Sequence, residues 1–264
     1  MKTKTFVIGC GLALALLLFA ERRSSSQQAS GLPRAIDLTH PAGSISPGFG
    51  EDQGNSAVRL QNVSQAENTG PLASTVAEHF ATNIDAPAHF VPGLWTVEQI
   101  PAERLTAPLV VMDVRRKAAR DPDYRVTVDD IGDWEQVNGQ IPQSAVVFAL
   151  TGWETRWESA RDYRNPDAGG VMHFPGFSPE SARFLVEGRN IIGLGIDTLS
   201  VDYGASRTLP VHQYTAAHSV YHLENVANLD RAPAAGGMVV VAPMRMAGGS
   251  GGPVRLRALA RQEL

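Results

Sequence analysis

The sequence predicts an α/β fold in a single domain, and three observations lead there. Residues 109–114 (Leu-Val-Val-Met-Asp-Val) and 144–150 (Ser-Ala-Val-Val-Phe-Ala-Leu) are apolar, β-branched runs of strand length, as expected of strands buried in a sheet. Ser178-Pro179-Glu180 opens a helix with a capping serine, a proline in the first turn and an acidic side chain. Strand-like and helix-like segments alternate irregularly, and the polar clusters fall in the connections between them. Neither an internal repeat nor a coiled-coil heptad is present.

The elements follow in order. Residues 1–20 read as a targeting segment: Met-Lys-Thr-Lys-Thr is a short positive start, and residues 6–20 are an apolar run too short for a typical membrane span and suited to a signal peptide. Leu18 occupies the position where a cleavage site prefers a small residue, so an uncleaved N-terminal anchor is the other reading. Either way the chain is expected to be exported, to the periplasm or beyond, or tethered to the membrane by residues 6–20. Residues 21–34 are small and polar, the composition of a disordered linker, and residues 35–264 form the domain. Residues 35–41 read as a first strand ended by Pro41. The Gly-, Ser-, Asn- and Gln-rich residues 42–70 read as loops or a short hairpin. Residues 75–86 read as a strand and its ends, 126–138 and 178–188 as helices, 190–197 as strand, 211–220 as helix, and 238–243 and 254–260 as the closing strands. Gly193-Leu194-Gly195 lacks the third glycine and the following helix of a dinucleotide site. Gly248-Gly249-Ser250-Gly251-Gly252-Pro253 lacks the Lys-Ser/Thr pair of a phosphate loop and reads as a turn into the last strand.

Composition bounds the partners. The chain has 264 residues, 43% of them hydrophobic, and a net charge of −4, enough to bury a sizeable core. Loss of residues 1–20 removes Lys2 and Lys4, leaving 21 basic against 27 acidic residues and a net charge of −6. With no basic stripe, nucleic acid is not an expected partner, and no membrane partner is expected beyond the N-terminal segment. Cys10 is the single cysteine and lies inside the apolar run. A processed chain therefore has neither disulfides nor thiolate ligands, and any metal must be held by His, Asp, Glu or Asn.

Two polar clusters carry the chemistry. Residues 79–89 hold His79, Thr82, Asn83, Asp85 and His89, separated by apolar or small residues, as in a metal site built into a core. On an extended strand Asn83 and Asp85 share a face, with His79 two strand steps before Asn83 on the same side. Pro87 interrupts the ladder and lets the chain turn His89 back over the site. Carboxylate and imidazole donors suit zinc, manganese or iron. The second cluster is His212, His218, His222 and Glu224. His218 and His222 share a helix face if the helix persists that far, and His212 and Glu224 can meet from a helix start and a following strand. Asp197 and Asp202 are placed either to hydrogen-bond a ligand histidine or to cap a strand end.

These residues resemble the cyclase-like metal hydrolases, the family of bacterial kynurenine formamidase and isatin hydrolase, whose signature is His-x-Gly-Thr-His-x-Asp-x-Pro-x-His. Residues 79–89 follow it with two departures: Ala81 stands in place of the glycine and Asn83 in place of the middle histidine, usually a metal ligand. The resemblance extends to Asp37-Leu38-Thr39-His40-Pro41, to His212 and Glu224, and to Gly249-Ser250-Gly251-Gly252-Pro253-Val254-Arg255, and so covers residues 35–260. It implies a mixed, partly barrel-like sheet with flanking helices, of the family's swivelling β/β/α type, assembled as a homo-oligomer.

The activity it implies is metal-dependent hydrolysis of a C–N amide bond in a small molecule, an arylformamide or a cyclic amide. One or two zinc or manganese ions would lower the pKa of water toward ~7 and polarise the amide carbonyl. His79, Asn83, Asp85, His212 and Glu224 would hold the metal, Asp85 bridging if there are two ions. Asn83, with one neutral oxygen, weakens zinc binding and tilts preference toward manganese. His89 would move a proton to the leaving nitrogen, and Thr82 would orient a ligand. Trp153, Trp157 and Phe177 are read as walls of the substrate pocket, with plain core as the competing reading, and His173 as a residue of its mouth. Two other functions compete: an exported small-molecule-binding protein that lost metal chemistry through Asn83, and a cyclase or dehydratase of secondary metabolism.

Overall fold

The buried apolar runs form the middle of one large sheet. The structure, a computed structural model, describes residues 33–43, 46–47, 58–61 and 73–260. The strands are β1 (Arg34–Asp37), β2 (Val58–Gln61), β3 (Ala73–Val76), β4 (Asn83–Asp85), β5 (Thr106–Asp113), β6 (Arg125–Val126), β7 (Val146–Leu150), β8 (Gly176–Phe177), β9 (Gly193–Ile196), β10 (Tyr221–Glu224), β11 (Gly237–Pro243) and β12 (Gly251–Ala260). The helices are α1 (Arg115–Ala118), α2 (Val128–Asn138), α3 (Ala160–Arg164), α4 (Pro179–Arg189) and α5 (Pro210–Ala217).

The main sheet runs β1-β12-β11-β5-β7-β9-β10-β4, and β12 also pairs with β4. That second pairing closes the seven strands from β12 to β4 into a barrel, with β1 attached outside the ring. β5, β7, β9 and β10 are parallel, whereas β11, β12 and β4 join antiparallel. The predicted α/β domain with a mixed, barrel-like sheet and flanking helices is therefore the fold observed. The short pairs β2–β3 and β6–β8 stand apart from it.

Alternation along the strands divides the apolar residues between two cores. Ile84, Leu109, Val111, Val146, Phe148, Leu223, Val241 and Leu256 fill the barrel. Val110, Met112, Val147, Ala149, Leu194 and Ile196 face outward, in one cluster with Ile131 and Trp134 of α2, Ala182 and Leu185 of α4, and Val211 of α5. Gly193 and Gly195 face the barrel side: an added Cβ would stand 2.5 Å from the Tyr221 ring or 2.2 Å from that of Phe148. These glycines make room for two aromatic rings.

Several boundaries differ from the sequence reading. The strand expected over residues 75–86 is broken, since Ala81 takes a left-handed backbone (φ 53°) and β4 is only three residues long. The helix expected to Val220 stops at Ala217, because Ser219 is left-handed (φ 59°). His218 and His222 therefore share no helix face; His222 lies on β10. The last strand starts at Gly251, inside the glycine run. Residues 35–260 form one compact unit. Residues 1–20, expected to be a targeting segment, residues 21–32 of the expected linker and most of 42–70 lie outside the described residues. Among those described, no helix is long and apolar enough to cross a membrane.

Candidate metal centre

The centre is built where β4 closes the barrel. β4 lies between β10 and β12, with Asn83 opposite Glu224 and Pro253, and Asp85 opposite His222 and Gly251. Strand alternation then puts Asn83, Asp85, His222 and Glu224 on one face, while Ile84 and Leu223 point into the barrel core. All four of these polar residues are buried.

Helix α5 brings His212 to this face from its first turn. The residue before the helix, Leu209, offers no side-chain cap. Instead Asp202 accepts from the amides of Val211 and His212 at 3.1 and 3.0 Å, satisfying two of the donors a helix start leaves open. The same carboxylate accepts from His212 Nδ1 at 2.7 Å. The other ring nitrogen, Nε2, therefore faces Glu224 Oε1 at 3.0 Å and Asp85 Oδ2 at 3.7 Å.

The remaining histidines of the motif arrive through turns. The left-handed Ala81 explains the glycine of the family signature, since that conformation costs an L-residue with a Cβ about 1–2 kcal/mol. This turn, and not a continuous strand, carries His79 to Asp85, where Nδ1 donates to Oδ1 at 2.7 Å. Gly251 makes room for the ring: a Cβ there would stand 2.4 Å from His79 Cε1. A single 3-10 turn, Pro87–His89, folds the chain back and sets the His89 ring 4.0 Å from that of His79. His89 Nδ1 donates to Ser250 Oγ at 3.1 Å, and that hydroxyl donates to Glu78 at 2.8 Å. This leaves His89 Nε2 unprotonated, on the exposed side of the centre.

His222 is fixed just as definitely. The Thr215 hydroxyl has one proton, which it gives to the carbonyl of Val211 at 2.7 Å. With that proton on the carbonyl, its oxygen accepts from His222 Nε2, 2.6 Å away. The other nitrogen, Nδ1, is buried and has no hydrogen-bond partner among the described residues; His79 Nε2 is in the same condition.

The electrostatics are those of carboxylates and imidazoles taken out of water together. Burial disfavours the charge on Asp85, but its bond to His79 and the nearby imidazoles outweigh this and hold it ionised, well below the usual carboxylate range. Glu224 is pushed up, by burial first and then by the charge of Asp85. His212 loses by burial but gains more from Asp202 and Glu224, and is raised to about 10. His79 is raised too, since its bond to Asp85 overcomes burial. Burial lowers His89 and, with the charge of His212, lowers His222 far more.

Of the other predicted residues, Thr82 donates to the Asn225 carbonyl at 2.6 Å and accepts from the His40 amide at 2.9 Å, pinning the chain just before Asn83. Asn83 gives an N–H to Asp85 at 3.1 Å, as it must beside a carboxylate, and its oxygen accepts from Asn225 at 3.3 Å. Expected to offer that oxygen to a metal, it instead turns a donor toward Asp85.

Trp153 and Trp157 belong to a closed aromatic cluster with Phe80, Ala81 and Tyr163, behind the motif turn. Tyr163 ties this cluster to the centre, its hydroxyl shared between the Asp197 carbonyl at 2.8 Å and Asn225 Oδ1 at 3.1 Å, and Trp157 stacks on His40 at 3.8 Å. Phe177, expected in a pocket wall, is fully buried in the core between the sheet and α4. His173 pairs with Asp123 at 2.7 Å and with Asp167 at 3.6 Å on the surface. Asp197 caps a strand end, accepting from Thr151, Gly152 and Trp153. The sequence reading names His222 in the second cluster, but on a helix face with His218 and with no place at the metal, and the fixing residues Thr215 and Asn225 have no place in it. For His222 the signal was its place two residues before Glu224, on the same strand face.

The donor set suits a divalent cation. Asp85, Asp202 and Glu224 are three buried carboxylates, a costly arrangement unless cations offset them. Among the described residues, two groups place a ligand atom of each residue within 4.8 Å of the others: His79, Asp85 and His89, and Asp85, His212 and His222. They share Asp85, and His79 and His222, one in each group, each carry a buried ring nitrogen with no hydrogen-bond partner among the described residues.

Comparison with known proteins gives the family. The family described as "Putative cyclase" matches residues 36–203. An isatin hydrolase from Roseibium aggregatum is 30% identical over 214 residues, covering 76% of this chain and 81% of that protein. A kynurenine formamidase from Paracidovorax citrulli is 23% identical over 232 residues, covering 84% and 95%. Among solved structures, isatin hydrolase A from Labrenzia aggregata, bound to benzyl benzoate, superposes with a TM-score of 0.80 at 33% identity over 92% of this chain and 100% of that one.

Proposed function

Because the chain belongs to the cyclase family, we propose that it is a metal-dependent hydrolase of a C–N amide bond in a small molecule, an arylformamide or a cyclic amide. The observation that carries this reading is the pair of imidazole–carboxylate groups sharing Asp85. Asp85, His79, His212 and Glu224 would hold zinc or manganese, as one ion or as two with Asp85 between them. A bound divalent ion supplies Lewis acidity, lowering the pKa of water and polarising a carbonyl.

The chain's own residues do the rest. Asp202 holds His212 in the tautomer whose Nε2 faces Asp85 and Glu224, and Asn83 and Asn225 fix the Asp85 carboxylate against the turn. Burial of this side keeps bulk water away from the charges and strengthens every interaction among them. His89 stands at the open side with Nε2 unprotonated, and burial keeps it neutral at pH 7. It accepts the proton that water loses as its oxygen bonds to the amide carbon, and returns it to nitrogen as the C–N bond breaks. Export and assembly with further copies of the chain complete the proposal.

The test is a panel of arylformamides and cyclic amides, with added zinc or manganese, in oxygen-labelled water. Hydrolysis puts one solvent oxygen into the product, and Asp85→Ala abolishes turnover. Turnover unchanged in Asp85→Ala sinks the site, product without label points to intramolecular cyclisation, and no turnover with any metal favours a binding protein.

A further inference from the structure

The family signature has a histidine where this chain has Asn83, and the structure turns the donor side of that amide to Asp85. On this face the group diagonal to position 83 is His222, directly across from Asp85 on the neighbouring strand. Its ring is fully buried. Thr215 holds Nε2–H, and the opposite nitrogen has no partner among the described residues. A buried imidazole left with a bare lone pair is unusual, since buried polar atoms nearly always find a partner. His212 stands beside it with ring centroids 4.5 Å apart at 72°, and Nε2 of His212 also faces Asp85.

We propose that His222 is a metal ligand in this protein, supplying through Nδ1 the imidazole that position 83 no longer provides, so that the inner ion is held by Asp85, His212 and His222 with Glu224 beside them. This rests on the reading of the centre as a metal site and moves one of its ligands from β4 to β10. The exchange keeps the donor types. One carboxylate and two imidazoles remain a set suited to zinc or manganese, and both imidazoles have their second nitrogen held by a neighbour, as ligating histidines do. Thr215 is then a positioning residue for His222, as Asp202 is for His212. Asn83, relieved of ligation, orients Asp85.

The experiment is metal binding by the full chain, stripped with chelator and titrated with zinc and with cobalt, whose visible absorption reports its ligands. His222→Gln should weaken zinc at the inner site by about 100-fold or more, and Thr215→Val by about tenfold, since even residues that only orient a ligand change affinity by about 10–100-fold. His218→Gln, at an exposed histidine bonded to the Tyr214 carbonyl, should leave affinity unchanged. Because His222→Gln risks misfolding at a buried site, His222→Cys gives a gain of signal: a thiolate-to-cobalt charge-transfer band absent from the parent chain, which keeps Cys10. Wild-type affinity in His222→Gln, or a folded His222→Cys that binds cobalt without the new band, overturns the assignment of His222. If Asp85→Ala loses the ion in that same series, the metal-hydrolase reading stands without His222. A parent chain that binds neither metal overturns both.

Discussion

A Cβ on Gly251 would meet His79 Cε1 at 2.4 Å and the Ile84 carbonyl at 2.9 Å. Neither neighbour is free to move, since His79 is bonded to Asp85 and Ile84 is in the strand pairing. Gly251→Ala should therefore cost about 1–3 kcal/mol of stability, the range for overpacking, and lower activity more than Tm, because the displaced ring is a proposed ligand. A denaturant titration beside an activity assay checks this, and a variant with normal activity would place His79 outside the site. Ala81 works the other way. Its left-handed backbone favours glycine, but its methyl is buried with Phe80 and Trp157. Relief of about 1–2 kcal/mol set against a buried methyl of about 0.8 kcal/mol and about 0.4–1 kcal/mol for the freedom glycine adds to the unfolded chain leaves Ala81→Gly close to neutral. At this scale the motif itself was legible, because His79, Asp85 and His89 are close in sequence. His222 is visible as a member of the second cluster, but its place across from Asp85 is not, since no local pattern tells which residue of another strand stands there. Phe177 was misplaced because an aromatic residue next to a Gly/Pro-rich loop reads alike whether it lines a pocket or fills a core.

Helix α2 shows how a sequence announces an element. Thr127 caps it, accepting from the Asp130 amide while Asp130 accepts from the Thr127 amide at 2.7 Å. Thr127→Ala should cost about 1 kcal/mol. Asp130 also bonds Tyr124 at 2.6 Å and pairs with Lys117. Burial opposes its charge, but these partners prevail and hold its carboxyl below the usual range. A carboxyl depressed in the folded state adds stability above its unfolded pKa of about 3.9. That contribution is lost as the pH falls through the folded value. Urea midpoints measured from pH 7 down to pH 2 should then converge for the parent and Asp130→Asn below about pH 4, with the parent more stable above it. Parallel curves would show that Asp130 contributes no proton-linked stability. α5 was read three residues too long because nothing between Ala217 and Val220 is glycine or proline; the stop is the left-handed Ser219. The strand over 75–86 was likewise read as unbroken because an alanine hides the turn that a glycine would have revealed.

Barrel closure belongs to the whole molecule. Three residues of β4 join β10 and β12, partners more than a hundred positions away in sequence. Periodicity gave the individual strands, and their alternation with helices gave the fold class. The ring came only from the resemblance, because no local signal encodes which distant strand a short one will join. Its interior depends on large side chains such as Phe148 over Gly195, and Phe148→Ala should cost about 3–5 kcal/mol, read from the urea midpoint. The cluster of Asp85, Asp202 and Glu224 sets a second global term. An ion that binds only the folded chain adds about 4 kcal/mol at a thousand times its Kd, so Tm should rise with zinc or manganese and fall with chelator.

The metal centre is tested most directly by the metal content of the full chain, purified without chelator and measured by elemental mass spectrometry, beside Asp85→Ala. One or two equivalents of zinc or manganese are expected in the parent chain, with loss of metal in a variant that still folds. A parent chain that carries none and takes up none when it is added would contradict the metal centre.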